Sequence, residues 1–297
     1  MPTTDTPYLR RQQALVSALQ AAELGALVLN PGTSLVYFTG LHFHLSERPV
    51  VALFAAGQPP VFVLPELEAA KVRQLPYPGR WFFYPENPSA WSDVFCQAAQ
   101  ALGLPGQAQI GVEPRRLRVL ELRLLEEAFP GGVFASAEEA VANLRMLKDP
   151  SEVAAMRKAV KVAETALQAA LPVVKAGVSE LEIAAELTLQ TLRAGSQSEL
   201  PFAPIVSGGP NSANPHAVPT RRPLQNGDLL VIDWGAAWDG YLSDLTRTFA
   251  IGEPEPELWG VAKVVAEANL AGRQAARPGI PASEVDAAAR AVIEAAG

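Results

Sequence analysis

From Gln225 to Gly252 the chain reads QNGDLLVIDWGAAWDGYLSDLTRTFAIG. Leu229–Trp234 is a short β-branched and aliphatic run, Trp238-Asp239-Gly240 is a turn signal, and Tyr241–Ile251 resumes with Thr, Phe and Ile. Together they predict a β-hairpin. Two acids lie inside it. Asp233 falls within the first apolar strand, and Asp244 follows four residues after the turn glycine, on the face shared by Thr246 and Thr248. Burying an isolated carboxylate costs more than a domain can spare, so such groups are paired with cations or bound to metal. Two carboxylates facing one another across a hairpin repel, which raises one pKa or calls for cations between them. The plainer alternative leaves both acids at strand ends, satisfied by Arg247 or by backbone amides.

With 297 residues, 49% of them apolar and 19% charged, the chain can bury a sizeable core and is long enough for two domains. A net charge of −7 without any basic run argues against nucleic acid as a partner. No apolar segment approaches the roughly twenty residues of a membrane span. Asp5 and two arginines, Arg10 and Arg11, precede any apolar run, unlike a signal peptide. A cytoplasmic protein without a membrane partner is the expectation. The lone Cys96 allows no internal disulfide, fits a reducing compartment and reads as a packed or idle thiol.

Outside the hairpin, Leu9, Leu15, Val16 and Leu19 predict an amphipathic helix over 8–22, and Ala26–Leu29 predicts a strand. The stretch from Asn30 to Pro65 reads as turn glycines and β-rich runs, with Val50–Phe54 and Val61–Leu64 joined through Gly57 as a hairpin. Helix-like and strand-like segments then alternate as far as Ala135, predicting an α/β domain with a largely covered sheet. His42 and His44 would share a face in a strand, as a metal-binding pair can. No Cys or further His is nearby, so a structural or subunit-contact role is expected.

Asp149, Pro150 and Glu152 suit the N-cap, first and third positions of a helix, which places a boundary near Arg145–Asp149 and gives domains 1–145 and 146–297. Val153, Met156, Val160, Ala163, Leu167, Leu171 and Val174 then predict one apolar stripe, with Met156 in the core and Pro172 kinking the last turn. Ser179 and Glu182 repeat the capping-box signature ahead of a second helix that runs to about Arg193. Phe202–His216 reads as a strand followed by a Gly, Pro, Asn and Ser loop; Leu258–Ala276 reads as a helix, and Ser283 as the cap of a last one.

The string VIDWGAAWDGYLSDLTRT, with PNSANPH upstream, resembles the metallopeptidase family of Xaa-Pro dipeptidases, Xaa-Pro aminopeptidases and methionine aminopeptidases, the pita-bread enzymes. LRMLKDPSEVAAMRKA is similar to the entry into that family's catalytic domain, and SLVYFTGL with SERP to the N-terminal domain of its prolidase and creatinase branch. The resemblance implies an N-terminal creatinase-like α/β domain followed by an α+β pita-bread domain. It implies that Asp233 chelates one divalent metal, that Asp244 bridges two, and that His216 contacts substrate and stabilises the tetrahedral intermediate. Manganese, then cobalt or zinc, are the implied ions, holding between them a hydroxide that attacks the scissile carbonyl. The separate N-terminal domain points to the Xaa-Pro branch, and so to small peptides with proline in the second position. A homodimer is implied as well, with His42–Arg48 near the partner's catalytic cleft.

The family carries a His and two Glu ligands further along, and none of the three occurs up to Gly297. The expectation is therefore a pita-bread domain cut short at its C-terminus, part of a longer polypeptide. The competing class is a non-peptidase on the same fold: a metal-free creatinase-like amidinohydrolase or a catalytically inactive binding module. The presence of both Asp233 and Asp244 favours the metal enzyme, since a metal-free relative has no physical need for facing carboxylates.

Overall fold

The Thr6 hydroxyl accepts a hydrogen bond from the Leu9 amide at 3.2 Å and so caps the first helix, α1 (Pro7–Ala21). The computed structural model describes residues 6–297, which divide into one unit ending at Asp149 and another beginning at Pro150. The first unit continues through β1 (Ala26–Leu29), α2 (Thr33–Thr39), β2 (Val51–Ala55), β3 (Val61–Pro65), α3 (Ala69–Val72) and β4 (Arg80–Tyr84). It closes with α4 (Trp91–Leu102), β5 (Gln109–Val112), α5 (Val119–Ala128), β6 (Val133–Ser136) and α6 (Glu138–Met146). Its strands form one mixed sheet in the order β4-β3-β2-β1-β5-β6. The strands β1, β2 and β3 are buried at every position, as strands covered on both faces are. Alternate residues serve opposite cores: Leu27, Leu29 and Phe54 join Leu15, Leu35 and Phe38, whereas Val28, Val51 and Leu53 join Phe95, Ile110 and Leu125.

Two expectations for this unit fail. Ser34–Thr39, read as part of a β-rich run, is helical because Leu35, Phe38 and Thr39 recur at helical spacing and are all buried. Gly40 ends the helix at φ 73°, where an added Cβ would lie 2.6 Å from the Tyr8 ring. His42 and His44 both lie exposed on the irregular stretch after Gly40, so they share no strand face. That stretch is held by Arg118, whose guanidinium bonds the Ser46 carbonyl and the buried Glu121, and by an Arg48–Glu86 ion pair at 2.8 Å.

The second unit begins with α7 (Pro150–Ala170), whose end tightens into a 3-10 turn at Leu171–Val173, where Pro172 cannot continue the ladder. Next comes α8 (Glu180–Arg193), opened by the expected capping box: Ser179 Oγ accepts from the Glu182 amide at 3.3 Å and Glu182 Oε2 from the Ser179 amide at 2.9 Å. There follow β7 (Ile205–Gly208), β8 (Leu229–Trp234), β9 (Ala237–Trp238), β10 (Tyr241–Leu242), β11 (Leu245–Ala250), α9 (Pro256–Ala275) and α10 (Ala282–Ala295). An antiparallel sheet forms in the order β11-β8-β7, and β9 with β10 makes the tip of the hairpin. Asp239 and Gly240 turn that tip with φ of 51° and 77°, the paired positive values of a tight two-residue hairpin loop.

The stripe expected on α7 holds at Ala163 and Leu167 and fails over its first half. Val153, Met156 and Val160 are 36–37% exposed, and the buried face is Ala159, Val162, Ala163, Ala166, Leu167 and Ala170. The cause is Trp234, fully buried beneath the helix, whose Nε1 donates to the Ala163 carbonyl at 3.0 Å. Only a small-residue face lets the helix backbone approach the indole so closely. Ser283 does not cap α10: Pro281 holds that position, and Ser283 sits inside the first turn.

Gly235 joins β8 to β9, and an added Cβ there would stand 2.0 Å from the Ser243 carbonyl oxygen and 3.0 Å from Pro201 Cγ. Gly235→Ala is expected to lower unfolding free energy by about 3 kcal/mol in urea titrations. A midpoint equal to that of the parent protein would contradict the close approach.

Candidate active site

Period-two alternation along β8 sends Leu230, Ile232 and Trp234 into the core and leaves Leu229, Val231 and Asp233 on a half-open face. Asp233 is therefore half-buried, less enclosed than a carboxylate inside an apolar strand was expected to be. Its register partners are Thr246 on β11 and Ile205 on β7. Thr246 Oγ1 donates to Asp233 Oδ1 at 3.1 Å.

Asp244 is exposed in the short link between β10 and β11. Its neighbour Ser243 is buried and stapled: Ser243 Oγ accepts from the Ala236 amide at 3.0 Å and donates to the Ala159 carbonyl at 3.2 Å, while its own amide donates to Ala236 O at 2.9 Å. The charge of Asp244 still reaches Asp233 across the hairpin. Burial raises the Asp233 pKa above the usual carboxylate value; the Thr246 hydroxyl works against this, and the negative charge of Asp244 adds to it. Arg247 does not figure among the groups that shift Asp233; its guanidinium bonds the Thr246 carbonyl at 2.8 Å. The donor set is two hard oxygen ligands with a shared excess of negative charge, which a divalent cation would relieve.

His216 is exposed on the loop that follows β7, past a 3-10 turn at Gly209–Ala213, and its amide donates to Asn214 Oδ1 at 3.1 Å. The imidazole is not drawn into a cluster with the two acids. Among the described residues, no group of three or more His, Cys, Asp or Glu side chains stands close enough to hold one ion.

Two further carboxylates govern that loop. Glu180, at the first position of α8, is fully buried, and Asp228 is 8% exposed. Asp228 accepts both Arg222 nitrogens, at 2.7 and 2.9 Å, and the Gln225 amide at 2.8 Å. A Cβ on Gly209 would fall 2.5 Å from Asp228 Oδ1 and 2.7 Å from Arg222 Nη2, so the loop backbone lies directly against this pair. The burial of Asp228 favours its neutral form, yet the Arg222 and Gln225 hydrogen bonds outweigh burial and hold its pKa below the usual range. The sequence carried only a faint signal for this: an arginine six residues before an acid in a turn, a spacing that names no partner.

In chain order, an α/β unit precedes a helix-backed sheet whose hairpin carries Asp233 and Asp244. Residues 154–297 match Metallopeptidase family M24, and residues 11–147 match the Creatinase/Prolidase N-terminal domain. The dipeptidase PepE from Mycobacterium ulcerans is 32% identical, with a TM-score of 0.84 over 98% of this chain and 77% of its own. A prolidase from Thermococcus sibiricus reaches a TM-score of 0.90 at 26% identity, covering 98% and 78% of the two chains. An Xaa-Pro dipeptidase from Bacillus anthracis gives 0.85 at 26% identity, again over 98% and 78%. The chain belongs to metallopeptidase family M24, and its fold is the creatinase-type domain followed by the pita-bread domain.

Because its folded pKa is depressed, Asp228 stabilises the fold fully above its unfolded pKa of about 3.9, and that contribution is lost as pH falls toward the folded value. Asp228→Asn is expected to cost about 3 kcal/mol at pH 7, since it leaves the Arg222 guanidinium without its carboxylate, and to flatten part of the loss of stability below about pH 4. Urea titrations at pH 7 and pH 3.5 measure both effects. An acid limb identical to that of the parent protein would contradict this.

Proposed function

We propose that this peptidase cleaves the bond between the first residue and a proline in the second position of small peptides, with divalent ions held by Asp233 and Asp244. The observation that carries the reading is the pair itself: two carboxylates on one hairpin, Asp233 raised in pKa by burial and further by the charge of Asp244, with Arg247 bonded to the Thr246 carbonyl. Likeness to proteins named prolidase and Xaa-Pro dipeptidase supports the choice of bond. When bound, the ions would supply a water acidified enough to serve as hydroxide near neutral pH.

The chain's own residues divide the remaining work. Thr246 orients Asp233 through its hydroxyl, and the stapled Ser243 fixes the backbone from which Asp244 projects. His216, free at its ring on the loop after β7, contacts the substrate and donates to the carbonyl oxygen as charge develops there. Manganese is the first choice of ion, then cobalt or zinc; an oxygen-rich donor set does not separate them sharply. The same reading takes the working protein to be a cytoplasmic homodimer in which His42–Arg48 meets the partner's cleft.

On a peptide with proline second, His216→Ala is expected to lower kcat by about 10² to 10³ with metal content unchanged. Asp244→Asn is expected to lower the manganese bound, read by elemental analysis, while the melting temperature stays near that of the parent. If His216→Ala loses its metal, His216 is a ligand and its role is misassigned. Turnover that survives complete chelation would favour the metal-free amidinohydrolase instead.

A further inference from the structure

The loop between Gly208 and Arg222 carries His216 at an exposed position, and its two feet converge on one buried group. The Gly208 amide donates to Glu180 Oε1 at 2.8 Å, and Asn211 Nδ2 donates to both carboxylate oxygens at 2.9 and 3.1 Å. On the returning side, the Thr220 amide donates to Glu180 Oε2 at 3.0 Å and the Thr220 hydroxyl to the same oxygen at 2.6 Å. The Glu180 and Leu181 amides in turn donate to the Arg222 and Thr220 carbonyls at 3.1 and 2.9 Å, so the first turn of α8 is bonded to the returning foot in both directions.

We propose that Glu180 is a positioning residue for the peptidase reaction: its carboxylate clamps both feet of the 208–222 loop and thereby sets where His216 stands. The proposal rests on the reading of His216 given above. No residue type but a carboxylate suits the place. Each oxygen faces a backbone N–H, which can only donate, so an amide side chain in either orientation would set its own NH₂ against the Gly208 or the Thr220 amide. Burial by itself would raise the Glu180 pKa; the bonds from Gly208, Thr220 and Asn211 outweigh it and keep the group ionised and accepting at neutral pH. The second buried acid, Asp228 with Arg222, lies against Gly209 and reinforces the same foot.

The test is Glu180→Gln in the full chain, with hydrogen exchange of the 208–222 amides, steady-state kinetics and a double-mutant cycle with His216→Ala. The expected result is exchange in 208–222 faster by at least about tenfold with the rest of the protein protected as before. A fall in kcat of about 10²-fold with KM and metal content unchanged should accompany it. In the His216→Ala background the same substitution should slow turnover no further, which a merely structural role would not produce. Unchanged loop exchange overturns the proposal, as does full kcat in Glu180→Gln when His216→Ala is impaired. If His216→Ala itself keeps full kcat, the reading of His216 fails separately, and exchange in 208–222 alone decides whether Glu180 clamps the loop. Should Glu180→Gln not fold, Thr220→Val, which removes the hydroxyl donor and leaves the amide, must shift exchange and kcat in the same direction by less; a folded Thr220→Val with neither shift overturns the proposal.

Discussion

The antiparallel pairing of β8 with β11, in the register that sets Thr246 opposite Asp233, is the constraint from which the candidate site follows. A slip of one residue would turn Asp233 into the core and push Ile232 or Trp234 to the surface. The register is held from below by Leu230, Ile232 and Trp234 and at the tip by the positive-φ turn at Asp239-Gly240. Apolar burial on one face thereby fixes which side of the sheet Asp233 takes. Burial is the main cause of the raised Asp233 pKa, the negative charge of Asp244 adds to it, and a bound cation would oppose both.

The second unit supports the acids and the histidine by different means. Strand register and the Ser243 staple hold Asp233 and Asp244 to the sheet. His216 comes from an irregular loop, which has no ladder of its own and takes its shape from side chains at its base. Buried carboxylates suit that task because one ionised group accepts several backbone amides at once, and charge-assisted bonds are about twice as strong as neutral ones. Glu180 and Asp228 both work in this way, and both are kept ionised by the donors they organise.

Much of this was legible in the chain. Alternating strand and helix signals gave the first unit, the capping box at Ser179 gave the start of α8, and the turn at Asp239-Gly240 gave the hairpin, although its second strand breaks at Ser243 and Asp244 instead of running on from Tyr241. The failures have physical causes. Ser34–Thr39 is rich in β-formers yet helical, because tertiary burial of Leu35 and Phe38 overrides propensity. The apolar stripe on α7 was right at Ala163 and Leu167 but wrong at Val153, Met156 and Val160, because hydrophobicity ranks Val and Met above Ala, whereas the indole of Trp234 selects for smallness. Glu180 escaped notice because a Glu in the first turn of a helix is ordinary in sequence. Its importance lies in which loop folds back onto it, a non-local fact.

The central claim is that Asp233 and Asp244 together hold divalent cations, and paramagnetic broadening tests it most directly. Manganese titrated into the isotope-labelled protein should first bleach the amide signals of Asp233, Asp244 and Thr246, and Asp244→Asn should weaken that bleaching. Broadening that begins elsewhere, or that is equal in the Asp244→Asn variant, would contradict the account.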